Sequence, residues 1–138
     1  MAIYNSQNKP NPQIQVGVMQ KCFPAFKHSR KGNNVVFKGD LFIAPEITIY
    51  TISIECGVEI RPKVKVINPK LKDNAPHTYP DRSLCLYHSS NFQWDSKKLI
   101  TNEIIHWTVA WIYFYEYWLQ TGEWIAEEFP HSSKKKEE

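Results

Sequence analysis

Cys85 lies in the stretch PHTYPDRSLCLYHSSNFQW, between Leu84 and Leu86 and with a histidine on either side, His77 and His88. Three kinds of chemistry are open to it. Flanked by leucines, it reads as a small buried hydrophobe. With His88 it forms a C-x-x-H pair, and His77 is close by, but structural zinc takes four ligands, commonly as two close pairs, and the chain holds no second such pair. As a nucleophile it would need partial exposure and polar or cationic neighbours that favour the thiolate, and His77, Arg82 and His88 are placed to supply them. The residue types alone leave the three readings open.

The elements that must position this cysteine are legible in outline. Val16, Met19, Phe23 and Phe26 recur at helical spacing and predict a short helix within 13–26, with Pro24 placed to end it early. SRKGNN at 29–34 reads as a turn cluster, after which VVFKGDLF and IYTISIEC read as strands. In the second, Tyr50, Ile52, Ile54 and Cys56 alternate with Thr51, Ser53 and Glu55, which sends Cys56 into the core. Lys63 to Val66 repeats the alternation with lysines toward water, and three strands joined by short connections predict an antiparallel meander.

From Asn68 to Arg82 there is no periodicity, only Pro69, Pro76 and Pro80; a loop of that length in a compact domain is more often functional than idle. The last third changes character. Trp107, Trp111, Phe114 and Trp118 follow a period near 3.6, Asn102 is the expected N-cap and Gly122 the expected C-cap. Trp107, Trp111 and Trp118 are expected against the sheet, with Tyr113 and Tyr117 outward. The expected division of the chain is a flexible lead-in at 1–12, one domain at 13–130 and a disordered charged tail at 131–138.

A chain of 138 residues is most economically one domain. Its net charge of +3 is modest, and Lys134 to Lys136 are followed at once by Glu137 and Glu138, so no nucleic-acid partner is expected. Cys22, Cys56 and Cys85 form no paired set, and no signal-peptide pattern precedes them, which predicts free thiols and a cytoplasmic location. The most apolar run, Ile104 to Leu119, is shorter than the roughly 18–20 residues of a membrane span and contains His106 and Glu116. Neither a membrane partner, a cofactor nor a metal is expected.

The order of these features resembles the ubiquitin-conjugating (E2) fold. RPKVKVI at 61–67 is similar to that family's P-P-K-V strand, His77 falls where its H-P-N motif begins, SLCLY is similar to its G-S-[IV]-C-L, and Trp94 fits its tryptophan. His77-Thr78-Tyr79 replaces H-P-N, so the asparagine amide that steadies the oxyanion is absent. In these departures the chain resembles bacterial E2-like proteins, with the pattern H-x-Y-x-D-G-x-L-C-L-Y, a tryptophan, and then an aromatic helix. HTYPDRSLCLY and WTVAWIYFYEYWLQTGEW follow that pattern, with Arg82 in place of the glycine. It is most similar to the stand-alone E2 of short type II CBASS antiphage operons, a cyclic-oligonucleotide signalling system; the E2 of bacterial ubiquitin-like conjugation operons is the close rival.

The resemblance implies an α+β, E2 (UBC)-like fold: an N-terminal helix, an antiparallel β-meander, a catalytic-cysteine loop and a long C-terminal aromatic helix. It implies a transferase whose Cys85 forms a thioester with the C-terminus of a partner, a cGAS-like nucleotidyltransferase or a ubiquitin-like protein, with an E1-like protein as a further candidate partner. Within it, Tyr79, a main-chain N–H near Leu86 or Asn91 would stabilise the oxyanion. His77 and His88 would set the thiolate fraction or relay a proton. Asp81 would orient an incoming amine, against the ordinary turn role of Asp after Pro. Trp94 would pack the cysteine loop. Cys85 is expected to be accessible and reactive, and Cys22 and Cys56 not. An E2 fold that holds a partner without chemistry is the non-enzymatic alternative.

Overall fold

The structure, a computed structural model, describes residues 12–57, 62–86 and 100–125. The first helix, α1 (Pro12–Cys22), stops two residues before Pro24, as the proline requires. Phe26 lies beyond its end, yet is 5% exposed, because the chain turns back and drops the ring onto the sheet. Gly39 makes this close approach possible: a Cβ there would sit 2.6 Å from the Phe26 ring.

Four strands follow: β1 (Lys27–Lys31), β2 (Asn34–Leu41), β3 (Tyr50–Cys56) and β4 (Lys63–Asn68). They pair antiparallel in the order β1-β2-β3-β4. The meander therefore has one strand more than the hydrophobic pattern predicts. Ser29, Arg30 and Lys31 are not a turn; they pair with Val36, Val35 and Asn34. Every residue of β1 is exposed, so the strand has no buried face to write an alternation into the sequence. The turn is Gly32-Asn33 alone, with Gly32 at φ 62°, the conformation that a II′ hairpin asks of its first central residue.

β3 is the spine of the sheet. Tyr50, Ile52 and Ile54 are fully buried, and Cys56 is 4% exposed, matching the predicted alternation. Val64 enters the same layer from β4 while Lys63 and Lys65 face water.

The sheet's inner face meets the second helix, α2 (Ile105–Thr121). A π-helical turn at Ile100–Ile104 leads directly into it. Asn102 thus lies inside a continuous helical segment rather than capping one, and the residue before α2 is Ile104, with no side-chain cap. The preceding turn supplies the carbonyls that a capping side chain would otherwise replace. At the other end Gly122 is left-handed (φ 82°) and its N–H bonds Trp118 O at 2.8 Å, the expected C-cap.

Trp111, Ile112 and Tyr115 fill the core, Trp107 and Trp118 are half-buried at its margin, and Tyr113 and Tyr117 face outward, as the spacing predicts. One tie is not visible in any pattern: Tyr50 Oη donates to Glu116 Oε2 at 2.5 Å, joining β3 to α2. Burial, and then Glu116 itself, hold the Tyr50 hydroxyl far above its ordinary pKa, so it stays a donor.

Candidate functional site

The segment after β4 is ordered and packed. Leu71 and Ala75 are buried, and Lys72 N–H donates to Tyr115 Oη of α2 at 2.9 Å. The chain then forms a small hairpin. Thr78 bridges Leu84, Tyr79 N–H reaches Ser83 O at 2.9 Å, and Arg82 N–H closes a turn on Tyr79 O at 2.8 Å. Pro80 presets the turn, and Arg82 leaves it with φ 75°, a three-residue loop that ends on a left-handed residue. Glycine is the usual occupant there, since the left-handed conformation costs a residue with a side chain about 1–2 kcal/mol. Arg82 offsets that cost with its guanidinium: Nη1 donates to Asp73 O (3.2 Å), and Nη2 to Leu71 O (3.2 Å) and Lys72 O (3.1 Å).

Asp81 serves the same turn. Its Oδ1 accepts from Ser83 N–H (2.9 Å) and Ser83 Oγ (2.6 Å), and its Oδ2 meets Lys63 Nζ of β4 at 3.1 Å. The Ser83 hydroxyl, then the Ser83 N–H, then Lys63 hold its carboxyl well below the usual carboxylate range. Asp81 is a fixed carboxylate here, an acceptor rather than a proton donor.

Cys85 sits on the return strand, opposite His77, and its N–H donates to His77 O at 2.9 Å. The same carbonyl accepts the Trp111 indole N–H at 3.1 Å, so α2 grips the cysteine's hairpin through His77. His77 is also left-handed (φ 56°), and its imidazole packs against Trp124 at 4.8 Å, where Trp111 and Phe114 complete the aromatic cluster. Trp111 stacks on Tyr115 (5.2 Å, 17°), and each of these two rings makes a polar contact by which α2 holds the loop or the hairpin. Leu84 and Leu86 are buried, and Leu84 N–H bonds Val64 O at 2.8 Å. Between these two anchors the Cys85 thiol is left partly exposed.

The other cysteines separate into two kinds. Cys56 is buried, and burial pushes its thiol up to about 12. Cys22 is exposed, contrary to the expectation that it would be inaccessible: α1 turns Met19 inward, and Cys22 ends the helix facing water. Accessibility alone therefore does not single out Cys85.

The hairpin carries all of His77, Tyr79, Asp81 and Cys85: Cys85 is paired to His77 through the main chain, Asp81 lies in the turn with Ser83 and Lys63, and Tyr79 is 39% exposed. His88, Asn91 and Trp94 lie outside the described residues. Sequence reasoning missed Lys63, the Trp111 N–H and the Arg82 fork as parts of this site. For Trp111 a signal existed, since a buried indole N–H needs an acceptor. Among the described residues no three His, Cys, Asp or Glu come together as a metal set, and no helix is long and apolar enough to cross a membrane. No curated protein matches the chain. A family model described as the Type II CBASS E2 protein matches residues 15–132.

Proposed function

Because the chain belongs to the type II CBASS E2 family, we propose that it is an E2-like transferase whose Cys85 carries the C-terminus of a partner protein as a thioester, the partner being a cGAS-like nucleotidyltransferase of the same antiphage system. Family membership implies the ubiquitin-conjugating fold, and the helix, four-stranded meander and aromatic helix agree with it. The observation that carries the reading is the setting of Cys85: a partly exposed residue between two buried leucines, on a hairpin bonded to β4 and α2.

In the first step the Cys85 thiolate attacks an activated carbonyl; the new C–S bond forms as the activating group leaves with its electron pair. In the second an amine takes the acyl group, loses a proton to a base, and releases Cys85. The chain has no asparagine where the eukaryotic motif has one, so the oxyanion falls to the Tyr79 hydroxyl or the Leu86 N–H. His77 and His88 are the candidates for the proton. The contact between His77 and Trp124 also suits an ordering role for that ring. Asp81, bound to Ser83 and Lys63, acts through the turn.

The test is the intact mass of the protein co-expressed with its operon partners under non-reducing conditions, beside Cys85→Ala. An adduct in the wild type alone, released by thiol and by hydroxylamine, is expected. A complex equally stable in both, with no adduct in either, would overturn the carrier reading in favour of a binding module.

A further inference from the structure

Arg82 occupies a backbone conformation that suits glycine, yet it directs both terminal nitrogens of its guanidinium to three consecutive main-chain carbonyls, those of Leu71, Lys72 and Asp73. Those carbonyls belong to a segment that is itself immobilised: Leu71 and Ala75 are buried, and Lys72 N–H is held by Tyr115 of α2. The hairpin is bonded at its base, where Leu84 N–H meets Val64 O and Cys85 N–H meets His77 O. At its tip, Lys63 reaches Asp81 and the Arg82 fork reaches the 71–73 segment. The ion pair is exposed and is one contact from a long, flexible lysine side chain. The fork is planar and reaches three fixed acceptors.

We propose that Arg82 is a positioning residue, a clamp that fixes the turn of the Cys85 hairpin to the 71–73 segment and so holds the thiol in the orientation that acyl transfer requires. The proposal rests on the thioester-carrier reading of Cys85. Its geometric logic is that of a rod held at both ends. Base bonds alone leave the turn free to pivot about the Thr78–Leu84 bridge; the fork removes that freedom. The fork serves Asp73 O from one nitrogen and Leu71 O and Lys72 O from the other; an ammonium offers a single nitrogen without that planar reach, so lysine would keep the charge and lose the fork.

Two reactions of the same sulfur separate positioning from other effects. Alkylation by iodoacetamide needs only an exposed thiolate. Acylation by the glycyl thioester of 2-mercaptoethanesulfonate is in addition accelerated where fixed donors face the developing oxyanion, so its rate at Cys85 is read against that at Cys22; here the new S–C bond forms at Cys85 and mercaptoethanesulfonate leaves as its thiolate. Both rates are measured at Cys85 by peptide mass in the full chain, with Cys22, exposed on α1, as internal control.

For Arg82→Gly, which removes the fork while relieving the left-handed strain, and for Arg82→Lys, acylation is expected to fall about tenfold with alkylation changed less than twofold. Amide exchange at Tyr79, Leu84 and Cys85 is expected to quicken in both. Wild-type acylation in both variants would overturn the proposal. So would a parallel fall in the two reactions, or full activity in Arg82→Lys alone, each of which assigns Arg82 to charge rather than position. Absence of wild-type acylation would instead sink the carrier reading; the clamp then stands or falls on amide exchange alone, with unchanged protection in Arg82→Gly rejecting it.

Discussion

β3 and the Cys85 hairpin are both antiparallel pairings, but they are held by different forces. In β3, four side chains point into the core, and the strand is paired on both edges. The hairpin has a single bridge; Leu84 and Leu86 bury its return strand, and its turn is tied to other elements by the Trp111 indole, the Lys63 ammonium, the Arg82 fork and the main chain of β4. Burial of alternate residues supports the first, directed hydrogen bonds the turn of the second. A region of the first kind governs whether the molecule folds. One of the second kind can be loosened while the fold persists, and it carries the reactive thiol.

The sharpest way to break this contrast is Ile54→Ala in β3. Ile54 is fully buried at the centre of the sheet, and the cavity should cost about 2–5 kcal/mol in urea unfolding. If the loss is no larger than that from Arg82→Gly, the division between the regions is wrong.

Trp111→Phe sharpens it from the other side. The substitution keeps an aromatic ring beside Tyr115 and removes the N–H that His77 O accepts. That carbonyl retains its bond from Cys85, but the fully buried indole leaves part of its volume empty, so the expected cost is about 1–3 kcal/mol. Amide exchange at Cys85 should quicken while exchange in β3 stays slow.

The smallest effect belongs to Asp81. Its carboxyl is depressed in the folded state, so the stability it contributes is present above the unfolded pKa of about 4 and lost as pH falls toward and through the folded value. The hairpin amide of Ser83 should therefore lose protection below about pH 4. Asp81→Asn should flatten that dependence, and an unchanged acid profile would remove Asp81 from the turn.

Legibility follows the same division. Tyr50, Ile52, Ile54 and Cys56 announced β3 because every second residue is buried, and Gly122 announced the end of α2 because its left-handed conformation suits glycine. β1 stayed hidden, since a strand exposed at every residue has no apolar phase. Asn102 misled because a helical turn precedes α2 and makes a cap unnecessary. Cys22 misled because its place on α1 depends on which face meets the sheet, and Met19 takes that face.

The sequence by itself determined the periodic parts of this protein, the meander's buried strands and the aromatic helix, together with the order HTYPDRSLCLY that ties the cysteine to a family. Periodicity is local, so neighbours along the chain suffice to reveal it. Only the tertiary structure decided that Trp111 would reach His77, that Lys63 would meet Asp81, and that Arg82 would close on the 71–73 carbonyls. Each of those contacts joins a side chain to a group on another element or segment, where distance and direction arise from packing. No spacing along the chain encodes them.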